Sequence, residues 1–159
     1  MDLTGLLDTW ASMYANHAVL RTALAFAHVG GLVVGGGAAI EADRFTLRRA
    51  RTVAHVEDAL FEPKSTAHRT VVVALAAVVA SGVLLFAADV DTYLYSKVYW
   101  IKMALMVLLL ANGALMLRAE RQIDHGHTHA WTSMVRTAWA SLVLWTLTTA
   151  AGVALPNLG

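Results

Sequence analysis

Residues 19–40 read VLRTALAFAHVGGLVVGGGAAI, an apolar run that is long enough to cross a bilayer as one helix. A single histidine, His28, lies near the middle of this run. A group that can bind a metal or carry a proton is costly in hydrocarbon, so its presence there indicates a functional site. The run therefore predicts a membrane-spanning helix and makes His28 the first candidate site residue.

The rest of the chain has the same apolar character. Its 159 residues are 58% hydrophobic and only 14% charged, with a mean hydropathy of +0.58, which is too apolar for a soluble domain of this length. The predicted spans are residues 18–40, 69–88, 97–117 and 134–155. Short connections favour an all-α fold, an integral membrane four-helix up-down-up-down bundle that forms a single transmembrane domain over residues 1–159.

Two amphipathic segments are expected to lie on the membrane surface. Apolar residues recur at helical spacing over residues 3–16 and again over residues 42–67, where Pro63 is expected to end the second helix. The N-terminus has no basic segment before the apolar run, so no removable signal peptide is expected. The absence of cysteine excludes disulfides and thiolate metal sites.

The distribution of basic residues predicts the orientation. The first and third connections hold nine of the twelve lysines and arginines: Arg44, Arg48, Arg49, Arg51, Lys64, Arg69, Arg118, Arg121 and Arg136. The positive-inside rule then places both termini in the periplasm of a bacterial inner membrane. The basic residues follow topology and form no patch, so nucleic acid is not an expected partner. The expected partners are the lipid bilayer and protein partners in a membrane complex or a homo-oligomer.

One face of the first span combines polar residues with glycines. Side chains recur on it every three or four residues: His17, Arg21, Leu24, His28, Gly31 and Gly35. Glycines on such a face let either another backbone or a flat ligand approach closely. Two interpretations are open for His28, a ligand or proton carrier on the one hand and a hydrogen-bonded packing residue on the other.

The third span carries a second polar residue, Lys102, with Met106 on the same face. If the spans begin near Arg21 and Lys97, His28 and Lys102 lie about 10 and 7 Å below the outer interface, so they could meet across the bundle. If the first span begins at His17, Met106 becomes the better-matched neighbour of His28. Lys102 could instead extend its ammonium group to the interface.

A third cluster lies in the connection between the last two spans. His125, His127 and His129 alternate along the chain and could offer imidazoles to copper or another divalent metal, although a solvated loop is the other interpretation. No serine nucleophile with a base at usable spacing is present, and the triple glycine at 35–37 lacks the context of a phosphate-binding loop. Hydrolase and nucleotide-dependent functions are therefore not expected.

Residues 18–118 resemble a known family. The resemblance rests on His28 followed by glycines, on GVLLF at 82–86, and on YSKVYWIK at 95–102 leading into NGA at 112–114. The pattern is similar to small four-helix bacterial proteins related to the copper-resistance D membrane domain, within that group to members classed as domains of unknown function. It is distantly similar to the haem-binding bacterial membrane protoporphyrinogen oxidase, in which a first-helix histidine and a third-helix lysine matter. By position, the resemblance gives those roles to His28 and Lys102.

Three functions follow as hypotheses, and whether the protein is an enzyme stays open. The first is binding of b-type haem or a related redox cofactor by His28, Lys102, Met106, Gly31 and Gly35, with a role in electron transport. The second is a non-catalytic subunit or anchor of a larger membrane complex, with His28 as a packing residue. The third is handling of copper or another metal, through His125, His127 and His129.

Overall fold

The computed structural model describes residues 3–52, 67–127 and 129–158, and in this part of the chain it contains six helices and no strand. The helices are α1 (Leu3–Asn16), α2 (Ala18–Thr52), α3 (Ala67–Ala88), α4 (Val90–Tyr95), α5 (Lys97–Asp124) and α6 (Ala130–Leu158). Four of them, α2, α3, α5 and α6, are long and apolar enough to cross a membrane. The predicted all-α fold with four spans is confirmed.

The first span differs from its prediction in length. Its 35 residues continue as one helix through 42–52, where the sequence indicated a separate interfacial helix. At 1.5 Å per residue α2 is about 52 Å long, well beyond the ~30 Å of a bilayer core. The basic residues of 44–51 therefore extend the span instead of starting a new element. The rest of the predicted interfacial helix, including Pro63, lies outside the described residues.

The four spans pack in the spatial order α3, α2, α6, α5. The chain connects α3 to α5 through α4, yet within the described residues these two helices make few direct contacts. The end of the bundle that holds α4 is called the α4 end, and the opposite end, where α5 turns into α6 at Gly126, is called the turn end. At the turn, Gly126 adopts a φ of +83°, and its amide donates to the Ile123 carbonyl at 2.8 Å.

The predicted surface helix at the N-terminus is present as α1 and packs against the α4 end of α3. The indole Nε1 of Trp10 donates to the Leu84 carbonyl at 2.9 Å. At the same end, the Ser96 hydroxyl caps α5 by accepting the Tyr99 amide at 3.2 Å. These contacts hold α1, α4 and the first turn of α5 around one end of the bundle.

The glycines of α2 allow close helix packing. A Cβ atom on Gly31 would lie 2.9 Å from Val78 Cγ2, and one on Gly35 would lie 2.9 Å from Ala74 Cβ, both on α3. A Cβ on Gly36 would lie 3.2 Å from the ring of Trp145 on α6. Real side chains almost never come this close, so glycine is needed for α2 to lie against α3 and α6.

Candidate functional site

The polar residues of the first and third spans come together in the half of the bundle nearer the α4 end. His28 Nε2 lies 3.5 Å from Lys102 Nζ, although α2 and α5 are not neighbours in the packing order. Both side chains are partly buried. The contact expected from the depths of these two residues is therefore present.

A serine on α3 determines which nitrogen of His28 carries its proton. The Ser81 hydroxyl lies 2.6 Å from the Ala77 carbonyl and 3.1 Å from the Val78 carbonyl, so its single proton is donated to its own helix. Its oxygen can then only accept from His28 Nδ1, 3.0 Å away. This hydrogen-bond network assigns the proton to Nδ1 and leaves the lone pair of Nε2 facing Lys102.

A cavity of about 420 Å³ lies next to the His28–Lys102 pair. Its walls come from three further sets of residues: Val79, Gly82 and Val83 of α3, Met103 and Met106 of α5, and Gly152 of α6. The third predicted residue, Met106, thus lines the same cavity as His28 and Lys102. The size of this cavity and its mostly apolar walls with a few polar groups are typical of a small-molecule site.

Two glycines outside the predicted set shape this cavity. A Cβ on Gly82 would lie 3.3 Å from His28 Cε1, and one on Gly152 would lie 3.9 Å from Lys102 Nζ. Sequence reasoning assigned no site role to Ser81, Gly82 or Gly152. The sequence does offer one signal for Ser81 and Gly82, because they are adjacent and Gly82 is the one glycine in the run 69–88.

The predicted site glycines of the first span occupy a different place. Gly31 and Gly35 are absent from the cavity walls and face Ala74 and Val78 of α3. Their space is filled by helix packing, which corrects the expectation that they make room for a flat ligand. His17 is also separate, because its Nδ1 is bonded to the Met13 carbonyl at 2.9 Å in the corner between α1 and α2.

An aromatic cluster closes the cavity at the α4 end. The rings of Phe86 and Tyr99 stack with centroids 5.4 Å apart, and Tyr93 of α4 lies 5.5 Å from Tyr99. All three residues line the cavity. Burial, with Tyr14 and Asp89 nearby, raises the pKa of the Tyr93 phenol, so it stays neutral at physiological pH.

The histidines of the α5–α6 turn stay exposed. The rings of His127 and His129 stack with centroids 5.6 Å apart, and His125 caps the end of α5. Over residues 3–52, 67–127 and 129–158, no group of three histidine, aspartate or glutamate side chains is placed to hold a metal ion. A metal site at His125, His127 and His129 stays a prediction.

Buried polar residues near the turn end serve a different purpose. Asn112 Nδ2 donates to the Thr137 carbonyl at 3.0 Å and so connects α5 with α6. Asp43 of α2 is 1% exposed, and its Oδ2 finds no hydrogen-bond partner in the described part of the chain. Neither Asn112 nor Asp43 lines the cavity.

The comparisons with known proteins return nothing: no family model, no curated protein and no solved structure matches the chain.

Proposed function

We propose that this multi-pass membrane protein binds b-type haem or a related redox cofactor in the cavity beside His28, which would hold the group through its Nε2 atom. The observation that carries the proposal is the bond from His28 Nδ1 to Ser81 Oγ, which leaves the Nε2 lone pair on the cavity side. Histidines that bind metals commonly donate their other ring nitrogen in this way, which fixes the ring and its tautomer.

The residues around His28 fit such a cofactor. An imidazole, a thioether and an amine are present in His28, Met106 and Lys102, and imidazole and thioether groups are both established ligands of haem iron. When bound, the group would supply one-electron chemistry. Gly82 lets α3 lie close to the imidazole, since a Cβ there would come within 3.3 Å of His28 Cε1, and the cavity walls are mostly apolar. The distant similarity to the haem-binding bacterial membrane protoporphyrinogen oxidase supports the same assignment.

The experiment that tests this proposal is an optical spectrum of the protein, expressed with haem precursor and purified in mild detergent. We expect a Soret band that His28→Ala abolishes and that the matched variant His17→Ala retains, since His17 lies outside the cavity. Ser81→Ala should weaken haem affinity about 10- to 100-fold, the usual effect of losing such a hydrogen bond. A wild-type protein without a Soret band, or a spectrum unchanged by His28→Ala, would contradict the proposal.

We also propose the bacterial inner membrane as its location, with the α4 end and both termini on the periplasmic side, from the distribution of lysine and arginine. Because the chain has no cysteine, single cysteines can be introduced without background. An impermeant thiol reagent applied to whole spheroplasts should label a cysteine at Asp91 and leave one at Asp124 unlabelled. The reverse pattern would overturn the orientation.

A further inference from the structure

One side of the cavity opens toward the lipid. Apart from the stacked rings of Phe86 and Tyr99, α3 and α5 make few close backbone contacts with each other within the described residues. The α3 wall residues Val79 and Val83 are 40% and 60% exposed, although both also line the cavity. The side between α3 and α5 is therefore the side on which a molecule dissolved in lipid would reach the cavity.

The opposite route, from water at the α4 end, is obstructed. The stacked rings of Phe86 and Tyr99 lie at that end of the cavity, and the α4 helix with Tyr93 lies beside them. The Asp89 carboxylate caps the first turn of α4 by accepting the Thr92 amide at 3.4 Å. A solute dissolved in the bilayer thus has a more direct path to the cavity than a solute dissolved in water.

Lys102 presents an uncompensated positive charge inside this cavity. An ammonium group has three N–H donors, and Lys102 uses one of them toward His28 Nε2. No other acceptor for Lys102 is found in the described part of the chain, and none of the cavity-lining residues is an aspartate or glutamate. A charge in apolar surroundings is costly without a partner, so the cavity favours a ligand that brings a negative charge.

We propose that the cavity binds a membrane-dissolved amphiphile with a carboxylate head group, such as a long-chain fatty acid. The carboxylate accepts the two remaining N–H donors of Lys102, and the apolar chain leaves between α3 and α5 past Val79 and Val83. The inference goes beyond the cofactor proposal, because it depends on Lys102 and the opening between α3 and α5 and not on metal ligation by His28; the acid would occupy the same cavity as the cofactor and compete with it.

The dimensions of the site favour a carboxylic acid over a phospholipid. The cavity measures about 420 Å³, and Lys102 lies on the membrane side of the aromatic cluster. A carboxylate on a single chain is compact enough to reach this depth. A phospholipid phosphate at the same depth would bring its glycerol group and a second chain into the cavity as well.

The inference can be tested by photolabelling the full-length protein, without added haem, in phosphatidylcholine nanodiscs. The probe is a palmitic acid analogue with a diazirine close to its carboxyl group, and labelled peptides are located by mass spectrometry. We expect saturable labelling on the segments around Val79–Val83 of α3 and Met103–Met106 of α5. The matching fatty alcohol should compete at least about 10-fold more weakly than palmitic acid, because it lacks the charge that strengthens hydrogen bonds to Lys102.

Two variants of the same helix separate the charge of Lys102 from general effects. Lys102→Gln should lower the affinity for the acid about 10-fold, to the level of the alcohol. Lys97→Gln should leave it unchanged, since Lys97 is exposed at the start of α5 and outside the cavity. Val83→Trp, which narrows the opening without touching Lys102, should reduce labelling as well and serves if Lys102→Gln does not fold.

Several results would overturn the inference. Equal competition by acid and alcohol, or wild-type labelling of a folded Lys102→Gln variant, would remove the role of the charge. Unchanged labelling of Val83→Trp would contradict entry between α3 and α5. Displacement by acetate, at the concentrations at which palmitic acid acts, would show that the apolar chain adds nothing to binding. Displacement by phosphatidylglycerol would make a phospholipid the ligand. Saturable labelling, together with no Soret band in protein expressed with haem precursor, would refute the cofactor proposal and leave this one standing.

Discussion

The bundle places glycines in both halves, with opposite results. Toward the turn end, the space beside Gly35 and Gly36 is filled by Ala74 and by the indole of Trp145. Toward the α4 end, Gly82 and Gly152 lie against His28 and Lys102, and all four residues line a cavity of about 420 Å³. A glycine in a membrane helix therefore indicates ligand space only when the side chains beside it themselves line a cavity.

The polar groups of the two halves differ in the same way. The Asn112 amide near the turn end finds the Thr137 carbonyl at 3.0 Å and connects two adjacent helices. In the described part of the chain, the Lys102 ammonium near the α4 end reaches the imidazole of His28 alone, on a helix that is not its packing neighbour. Asn112 thus joins two adjacent helices, whereas Lys102 keeps N–H donors that face a cavity.

The largest effect on stability should come from the turn half, in Trp145→Ala. Trp145 is 5% exposed and fills the space left by Gly35 and Gly36, so its removal should lower the free energy of unfolding by about 3–5 kcal/mol. The measurement is denaturant unfolding in detergent. Trp139→Ala is the matched control, because Trp139 is 51% exposed on the same helix. Equal losses in the two variants would contradict the packing role of Trp145.

The next effect should come from Gly35→Ala, which adds one methyl group where Ala74 Cβ lies 2.9 Å away. The helices must separate to admit it, and we expect a loss of about 1–3 kcal/mol in the free energy of unfolding. Gly37→Ala has open space around the new Cβ. It should be neutral or gain about 0.5–1 kcal/mol from the better helix propensity of alanine. If both variants behaved alike, the close approach of α2 and α3 would be refuted.

A smaller effect is expected from Asn112→Ala, which removes the hydrogen bond between α5 and α6. Bonds of this kind contribute about 0.5–1.5 kcal/mol, so the midpoint of unfolding should shift modestly. Asn157→Ala serves as a control, since the Asn157 side chain is exposed and donates only to the Val153 carbonyl of its own helix. A loss for Asn157→Ala as large as that for Asn112→Ala would show that the interhelical bond adds nothing.

The smallest effect on stability should come from the α4 half, in Lys102→Met. The change removes an ammonium group whose burial is not compensated by a carboxylate among the cavity-lining residues, and that gain offsets the lost contact with His28. We expect a change of at most about 1 kcal/mol in the free energy of unfolding. A loss as large as that of Trp145→Ala would mean that Lys102 is a structural residue, and the contrast between the two halves would no longer hold.

The sequence carries enough information for the spans and for the pairing of His28 with Lys102. Length and hydropathy identify helices, and a constant rise of ~1.5 Å per residue converts position into depth, which is why residues on different spans could be matched. The same information says nothing about which helices are neighbours. The separation of α3 from α5, and with it the lateral opening, could not be read from residue spacing.

The roles of individual glycines escaped prediction for the same reason. Gly31 and Gly35 share a face with His28, and that face was correctly identified as a place of close approach. Whether a helix or a ligand lies against these glycines depends on Ala74, Val78 and Trp145, which are distant from them in the sequence. The sequence does not mark Gly82 and Gly152 as site residues, because each is the single glycine in its span and belongs to no periodic pattern. The one local signal is Ser81, directly before Gly82.

The uninterrupted length of α2 has a mechanical consequence. Trp145 packs against the helix at Gly35 and Gly36, with His28 about 10 Å to one side of that contact and Arg49 about 21 Å to the other, at ~1.5 Å per residue. Because the helix is unbroken, a tilt about this contact would move Arg49 and His28 in opposite directions, His28 by about half as much. The imidazole and the basic segment 44–51 are thus coupled through one continuous helix.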